Sequence, residues 1–211
     1  MAQDNLRDRI YNEYLGRIRR GEIGRDARLV DTALAAEHGV SRMPVREALL
    51  RLTHEGYLVS TTRGFMLPQL SHDEVLEIFE IRRLLEPRAA ARAAPMLDTA
   101  AMERMRHAAH DTHSTIASGD IMLFYSASEV FRETWLAAVP NGELRRSIQR
   151  FLGQVQAVRI ATMRAPEAHG IIVDGQARLL EAFSARDAVA VSDAMLDFVI
   201  AAEASYRKQA G

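Results

Sequence analysis

Apolar residues in the first part of the chain recur at the three- and four-residue spacing of an amphipathic helix. Leu6, Ile10, Tyr14 and Ile18 share one face, and the sequence GEIG then interrupts the pattern. The spacing predicts a first helix over residues 6–20.

Two shorter helices are predicted next. Asp31 is expected to cap the second helix, which ends at His38. Ser41 is expected to cap the third, with its hydroxyl accepting from the amide of Met43, because Pro44 in the first turn cannot donate. The packed face of the third helix is formed by Val45, Leu49 and Leu52. Its opposite face is therefore free.

A β-hairpin is predicted after the third helix. Two short apolar segments, Tyr57–Ser60 and Phe65–Leu67, surround a turn at residues 61–64. Three helices followed by a hairpin indicate a winged helix-turn-helix. We therefore assign a DNA-binding domain to residues 1–70 and a second domain to residues 71–211.

The second domain has a helical pattern throughout, with Pro87 expected to kink its first helix. The predicted helices cover residues 71–94, 98–118, 120–138, 141–164, 167–185 and 187–209. The predicted fold class is mainly α, a winged helix-turn-helix followed by an all-α helical bundle.

Composition narrows the choice of chemistry. Apolar residues make up 48% of the chain and aromatic residues only 6%, which favours helices. No cysteine occurs, so disulfides and thiolate metal sites are excluded. No apolar run is long enough to span a bilayer, and a cytoplasmic protein without a membrane partner is expected. The sequence contains no catalytic signature such as a nucleophile elbow or a P-loop, so an enzyme is not expected.

The segment LAAEHGVSRMPVREALLRLTHEGYLVSTTRGF closely resembles the DNA-binding signature of the GntR family of bacterial regulators. The resemblance implies that the first domain reads double-stranded, palindromic operator DNA as part of a homodimer. It also implies which residues lie at the DNA. These are Ser41, Arg42, Met43, Pro44 and Arg46 at the start of the third helix, Arg51 at the DNA backbone, and Arg63 with Gly64 in the wing.

The chemistry of the two arginines agrees with that role. Arg42 and Arg46 lie one turn apart at the start of a helix, where two guanidinium groups and the positive helix end can meet phosphates and guanine edges. The alternative is that the pair only solvates a small helical domain.

The remainder of the chain resembles the FCD effector domain of FadR-type regulators, through EIFEIRRLLEPRAAARAA, a Gly-Asp pair and LLEAFSARDAVAVSDAM. Many FCD domains hold a divalent metal on an Asp and three His. The corresponding positions here are Ser128, Arg132, Gln176 and Phe198, which are poor ligands. We therefore expect no metal and no other cofactor.

Three histidines with metal-like spacing lie elsewhere. His107, His110 and His113 fall on one helix, away from an expected inward stripe that includes Met105 and Ile116. A solvated face explains them better than a zinc site.

The effector site is expected to bind its ligand directly. Arg132 could supply the charge that the metal supplies to a ligand carboxylate in relatives, with Ser128, Gln176, Phe198 and Arg82 as further candidates. A carboxylate or another polar metabolite is the expected effector. The alternative is that Arg132 pairs with an internal carboxylate such as Glu129 or Glu86 and the pocket is closed.

Two other functions stay open. The second domain could be a dimerisation scaffold without a ligand. Less favoured is an all-helical metalloenzyme built on the three histidines. The favoured function is an effector-controlled transcriptional regulator, a repressor in the simplest case.

Overall fold

Helices account for most of the chain. The computed structural model describes residues 2–163 and 165–210, and over these it contains ten α-helices, one 3-10 helix and two β-strands. The expected fold class, a winged helix-turn-helix followed by an all-α bundle, is confirmed.

The first three helices enclose one apolar core. It includes Tyr14, Leu49 and Leu52, all of which are fully buried. The helices are α1 (Ala2–Arg19), α2 (Asp31–Glu37) and α3 (Arg42–His54). Each had been predicted to within a few residues from its apolar spacing.

Two capping predictions are wrong. Val30 occupies the N-cap of α2, and Asp31 is instead its first helical residue. Ser41 does occupy the N-cap of α3, but its hydroxyl makes no capping hydrogen bond. The predicted bond to the Met43 amide is therefore absent.

The hairpin forms the wing. Its first strand starts later and is shorter than predicted, and its second strand lies one residue earlier than predicted. Strand β1 (Val59–Thr61) pairs antiparallel with β2 (Gly64–Met66). Leu29, just before α2, forms an isolated bridge with Phe65. Gly64 has φ 120°, and a Cβ there would lie 2.7 Å from the Leu29 carbonyl oxygen. A side chain at position 64 would thus disturb the wing.

The later helices follow the predicted order with one correction. They are α4 (His72–Ala93), α5 (Thr99–Ser118), α6 (Ile121–Ala137), α7 (Gly142–Gln154), α8 (Gln156–Thr162), α9 (Pro166–Ala185) and α10 (Ala188–Ala210). The single helix expected over residues 141–164 is divided into α7 and α8. Pro87 is accommodated inside α4, and a 3-10 turn (Ala94–Met96) follows that helix.

Aspartates set the start of two of these helices. The Asp98 carboxylate accepts from the Ala101 amide at the start of α5. The Asp120 carboxylate accepts from the amides of Met122 and Leu123 at the start of α6. Both helix starts were predicted within a residue from the breaks in the helical pattern, and the structure adds the capping bonds.

The contacts within the chain define two compact units. The first unit joins Met1–Ser71 with the later segment Gln149–Ile160. The second unit contains His72–Ile148 and Ala161–Gly211. Segment 149–160 had been assigned to the second domain from sequence, but it packs with the first. Across the described residues, no helix has the length and apolarity needed to span a membrane.

Candidate functional site

Two arginines project from the first turns of α3. The side chains of Arg42 and Arg46 are 55% and 48% exposed, while Val45 and Ala48 on the opposite side of the helix are fully buried. The apolar face thus fixes the orientation of α3, and both guanidinium groups lie on its free face.

A buried carboxylate holds the two arginines together. One oxygen of Asp31 accepts from Nε of Arg42 at 2.9 Å and from Nη1 of Arg46 at 3.1 Å. Asp31 itself is only 6% exposed. The first residue of α2 therefore fixes two side chains of α3.

The pKa of Asp31 reflects this arrangement. Burial raises the pKa of the carboxyl group, but the hydrogen bonds from Arg42 and Arg46 outweigh burial, and the pKa lies below its ordinary value. Asp31 is therefore ionised near neutral pH. Sequence reasoning missed this role, because an aspartate at the start of a helix has the same local signature whether it caps the helix or reaches another one.

The other predicted residues at the start of α3 differ in exposure. Ser41 is exposed, and Met43 is 62% exposed, unusually high for a large apolar side chain. Pro44 is buried with the packed face of the helix. Its burial opposes the expectation that it faces DNA, because its ring contributes to the core of the first unit.

Arg51 lies near the end of α3 in a network of its own. Its guanidinium stacks 3.7 Å from the centroid of the Tyr11 ring and pairs with Glu55 at 3.1 Å and Asp8 at 3.4 Å. A DNA backbone contact by Arg51 stays a prediction. Such a contact would compete with these three interactions.

The wing presents an ordered turn. The hydroxyl of Thr61 accepts from the amide of Arg63 at 3.2 Å and donates to the carbonyl oxygen of Gly64 at 2.9 Å. The Arg63 side chain is exposed at this turn. Its contact with a minor groove remains a prediction, as does that of Gly64.

The second unit contains two buried polar groups that lack partners. Ser128 on α6 and Gln176 on α9 are each 3% exposed. The Ser128 Oγ and the Gln176 Oε1 have no hydrogen-bond partner. Unpaired buried polar atoms are costly, so each of these two atoms indicates a position where a ligand or water would complete the bonding.

The two candidate arginines of this unit are paired with carboxylates. Arg132 Nη2 donates to both oxygens of Glu129 at 2.6 Å, and Arg82 Nε donates to Glu86 at 2.6 Å. The side chains of all four residues are at most 15% exposed. The internal ion pair that the sequence left open as an alternative for Arg132 is thus present.

Phe198 contributes an apolar surface against Gly175, the residue before Gln176 in the chain. The ring of this half-buried residue of α10 lies directly on Gly175 of α9, where a Cβ would overlap it. Helices α6 and α9 also meet through the rings of Phe124 and His169, whose centroids are 4.1 Å apart. Arg82 lies on α4, which packs against α6 and α10.

These positions do not fit a divalent metal. Arg132 brings a positive charge already bound to Glu129, and Phe198 has no donor atom. His107, His110 and His113 are all exposed on α5, and no group of three or more His, Cys, Asp or Glu suited to a metal occurs among the described residues. The expected inward position of Ile116 on α5 is wrong, since that side chain is 57% exposed.

Two family descriptions match adjoining parts of the chain. Residues 6–65 match the bacterial regulatory proteins of the gntR family, and residues 77–200 match the FCD domain. The first description names regulatory proteins rather than enzymes.

Individual relatives are also regulators. The Nta operon transcriptional regulator of Aminobacter aminovorans is 28% identical over 135 residues, which is 63% of each chain. The "Probable D-xylose utilization operon transcriptional repressor" of Paenarthrobacter nicotinovorans is 30% identical over 166 residues, 74% of this chain and 72% of that one. The chain spans less than two thirds of the first of these relatives.

A solved structure supports the fold. Escherichia coli McbR/YncC superposes with a TM-score of 0.82 at 24% identity, covering 98% of this chain and 99% of that chain. At this identity the likeness concerns the fold alone.

Replacing the buried carboxylate by its neutral isostere should destabilise the first unit. We expect Asp31→Asn to lower the free energy of unfolding by about 1 kcal/mol near pH 7, a modest value because both arginines are half-exposed. The folded pKa of Asp31 is lowered, so its contribution is complete above the ordinary aspartate pKa and declines as pH falls toward the folded pKa. The wild type and variant should therefore converge in acid.

Urea unfolding followed by circular dichroism from neutral pH down to about pH 3, below the ordinary aspartate pKa, measures this difference. Asp26→Asn removes an exposed carboxylate of the same unit and serves as the control. A difference that is absent at pH 7, or one that grows in acid, would contradict the assigned role of Asp31.

Proposed function

Because this chain belongs to the GntR family and carries an FCD domain, we propose that it is a transcriptional regulator that binds operator DNA through its first unit. The observation that carries the proposal is the pair formed by Arg42 and Arg46, exposed on α3 and fixed by Asp31. Each arginine uses one N–H group for Asp31 and has further donors for guanine edges or phosphates.

Neighbouring features extend the same surface. Ser41 and Met43 are exposed beside the arginines, and Arg63 is exposed on the wing. Helix α3 would enter the major groove while the wing lies at the adjacent minor groove. Two copies of the chain would place two such surfaces on a palindromic operator, as a homodimer. Operator DNA lies in the cytoplasm of a bacterial cell, so we expect the protein there. The name of the Paenarthrobacter relative favours repression.

A second element of the proposal is control by a small molecule in the second unit. The Ser128 hydroxyl can donate and accept, and the Gln176 Oε1 can accept. Phe198 offers an apolar surface against Gly175, which precedes Gln176 in the chain. A polar ligand that supplies hydrogen-bond donors would complete this set.

Charge favours a neutral ligand over a carboxylate. Arg132 and Arg82 each share hydrogen bonds with a glutamate of the same helix, so each pair is close to neutral. A carboxylate ligand would either displace Glu129 or Glu86 or add a second buried negative charge beside it, and both are costly. We therefore narrow the expected effector from a carboxylate or polar metabolite to a neutral polar compound such as a sugar.

The DNA-binding proposal predicts a large effect of one arginine. Arg46→Ala should weaken binding to a duplex selected in vitro by about 1 to 3 kcal/mol, because it removes groove contacts without removing core packing. Fluorescence anisotropy at one fixed salt concentration measures the loss. Arg20→Ala is the matched control, since Arg20 is 47% exposed and pairs with Glu22 in the same unit. Equal affinity of the two variants would refute the assignment.

The ligand proposal predicts a preference among small molecules. Neutral polyols, with D-xylose included because of the relative's name, should raise the melting temperature of the wild type more than carboxylates of similar size. Gln176→Leu should lose this response, while its melting temperature without ligand stays equal or rises, because an unpaired buried acceptor is removed.

Differential scanning calorimetry separates the alternatives. If only carboxylates stabilise the protein, the result would instead favour the sequence-based hypothesis of a metal-free anion site centred on Arg132. An absence of any response across a broad metabolite panel would favour the ligand-free scaffold.

A further inference from the structure

A late segment of the chain is held on the first unit by contacts between backbones. Residues 149–160 cover the end of α7 and most of α8, and they belong to the same compact unit as residues 1–71. A Cβ on Gly153 would overlap the carbonyl oxygen of Glu55 and lie 3.2 Å from the Gly56 carbonyl carbon. A Cβ on Gly56 would in turn overlap the carbonyl oxygen of Arg150. The close approach of the two backbones therefore depends on two glycines, Gly56 after α3 and Gly153 in the late segment.

The place where the segment binds is the end of α3. Glu55 is the C-cap of that helix, and Gly56 follows it with φ 85°. The Glu55 side chain also accepts hydrogen bonds from Arg51 and Tyr11. The contact thus engages the helix that carries Arg42 and Arg46, at the end opposite to them.

Other side chains of the segment extend the contact. Ala157 packs on the apolar core of the first unit, and Ile160 Cγ2 lies 3.2 Å from where a Cβ on Gly21 would be. Gly153 itself is buried. The segment Gln149–Ile160 is therefore part of the first unit, although it follows the second unit's first three helices in the chain.

Helix α7 connects this contact to the other unit. Its first residues, from Gly142, belong to the second unit, and its last residues belong to the first. A helix is stiff over this length, so a displacement at one end of α7 is transmitted to the other. A side chain at position 153 would push the segment away from α3.

We propose that Gln149–Ile160 is a relay that couples the second unit to the DNA-binding helix, and that the Gly153 contact with Glu55 and Gly56 is what engages it. The inference uses the proposed DNA binding and adds the route by which the two units influence each other. By thermodynamic reciprocity, DNA bound to the first unit must then stabilise the second.

The chain contains one tryptophan, which makes this coupling measurable. Trp135 is 2% exposed and lies on α6, within the second unit. Its fluorescence during urea unfolding therefore reports the second unit, whereas DNA binds the first. We expect a saturating selected duplex to raise the urea midpoint of the Trp135 transition in the wild type.

The diagnostic variant is Gly153→Ala. Alanine favours a helix interior by about 1 kcal/mol over glycine, so an undocked helix would gain stability from the change. Gly170→Ala is the matched control, because Gly170 is an exposed helical glycine with nothing within 4 Å of a Cβ. We expect the control to keep the DNA-induced shift of the Trp135 midpoint and Gly153→Ala to lose most of it. A shift retained in Gly153→Ala would overturn the relay.

A second measurement keeps the test independent of DNA. In the free protein, amide hydrogen exchange over residues 149–160 and 55–58 should be at least several-fold faster in Gly153→Ala than in the wild type, and unchanged in Gly170→Ala. Unchanged exchange in Gly153→Ala would show that the contact does not hold the segment. A wild type that binds no duplex would refute the proposed function and with it the relay, while the exchange result would still decide the contact.

Discussion

One buried carboxylate organises the surface that we assign to DNA. Asp31 loses most of its hydration on folding, and two guanidinium groups from α3 compensate for that loss. The same bonds restrict Arg42 and Arg46 before any ligand arrives, which reduces the side-chain entropy that binding must remove. The arginines remain half-exposed, so the carboxylate orients them without withdrawing them from solvent. In the proposed function, recognition of DNA by α3 depends on the hydrogen bonds between Asp31, the first residue of α2, and the two arginines in the first turns of α3.

The second unit uses its arginines in a different way. The Arg132–Glu129 and Arg82–Glu86 pairs join residues within one helix, and both are largely buried. Charge there is neutralised locally, and the unsatisfied atoms are the neutral Ser128 Oγ and Gln176 Oε1. This contrast supports the proposals that the first unit binds a polyanion and the second a neutral polar molecule. The segment around Gly153 packs on the end of α3 within the first unit, and the proposed relay rests on that contact.

Local patterns predicted most of the fold. Apolar spacing predicted α1 to α3, and breaks in the helical pattern predicted the starts of α5 and α6 at Asp98 and Asp120. The errors concern tertiary contacts. Asp31 could not be distinguished from a helix cap, because its partners lie 11 and 15 residues away. The break between α7 and α8 lies at Val155, two residues after Gly153, and a single glycine inside a helical pattern does not by itself mark a helix end. From the family resemblance we predict that Arg42 and Arg46 face DNA. Only the structure revealed the hydrogen bonds with Asp31 that hold them.

The central claim is that Asp31 is ionised and bound to both arginines in the free protein. Carbon-13 NMR titration of the Asp31 carboxyl group measures this directly, in the wild type and in Arg46→Ala. The account predicts a pKa below the ordinary aspartate value in the wild type, because the two guanidinium groups outweigh burial, and a higher pKa in the variant, where burial is opposed by Arg42 alone. A wild-type pKa at or above the ordinary value, or one unaffected by the loss of Arg46, would contradict it.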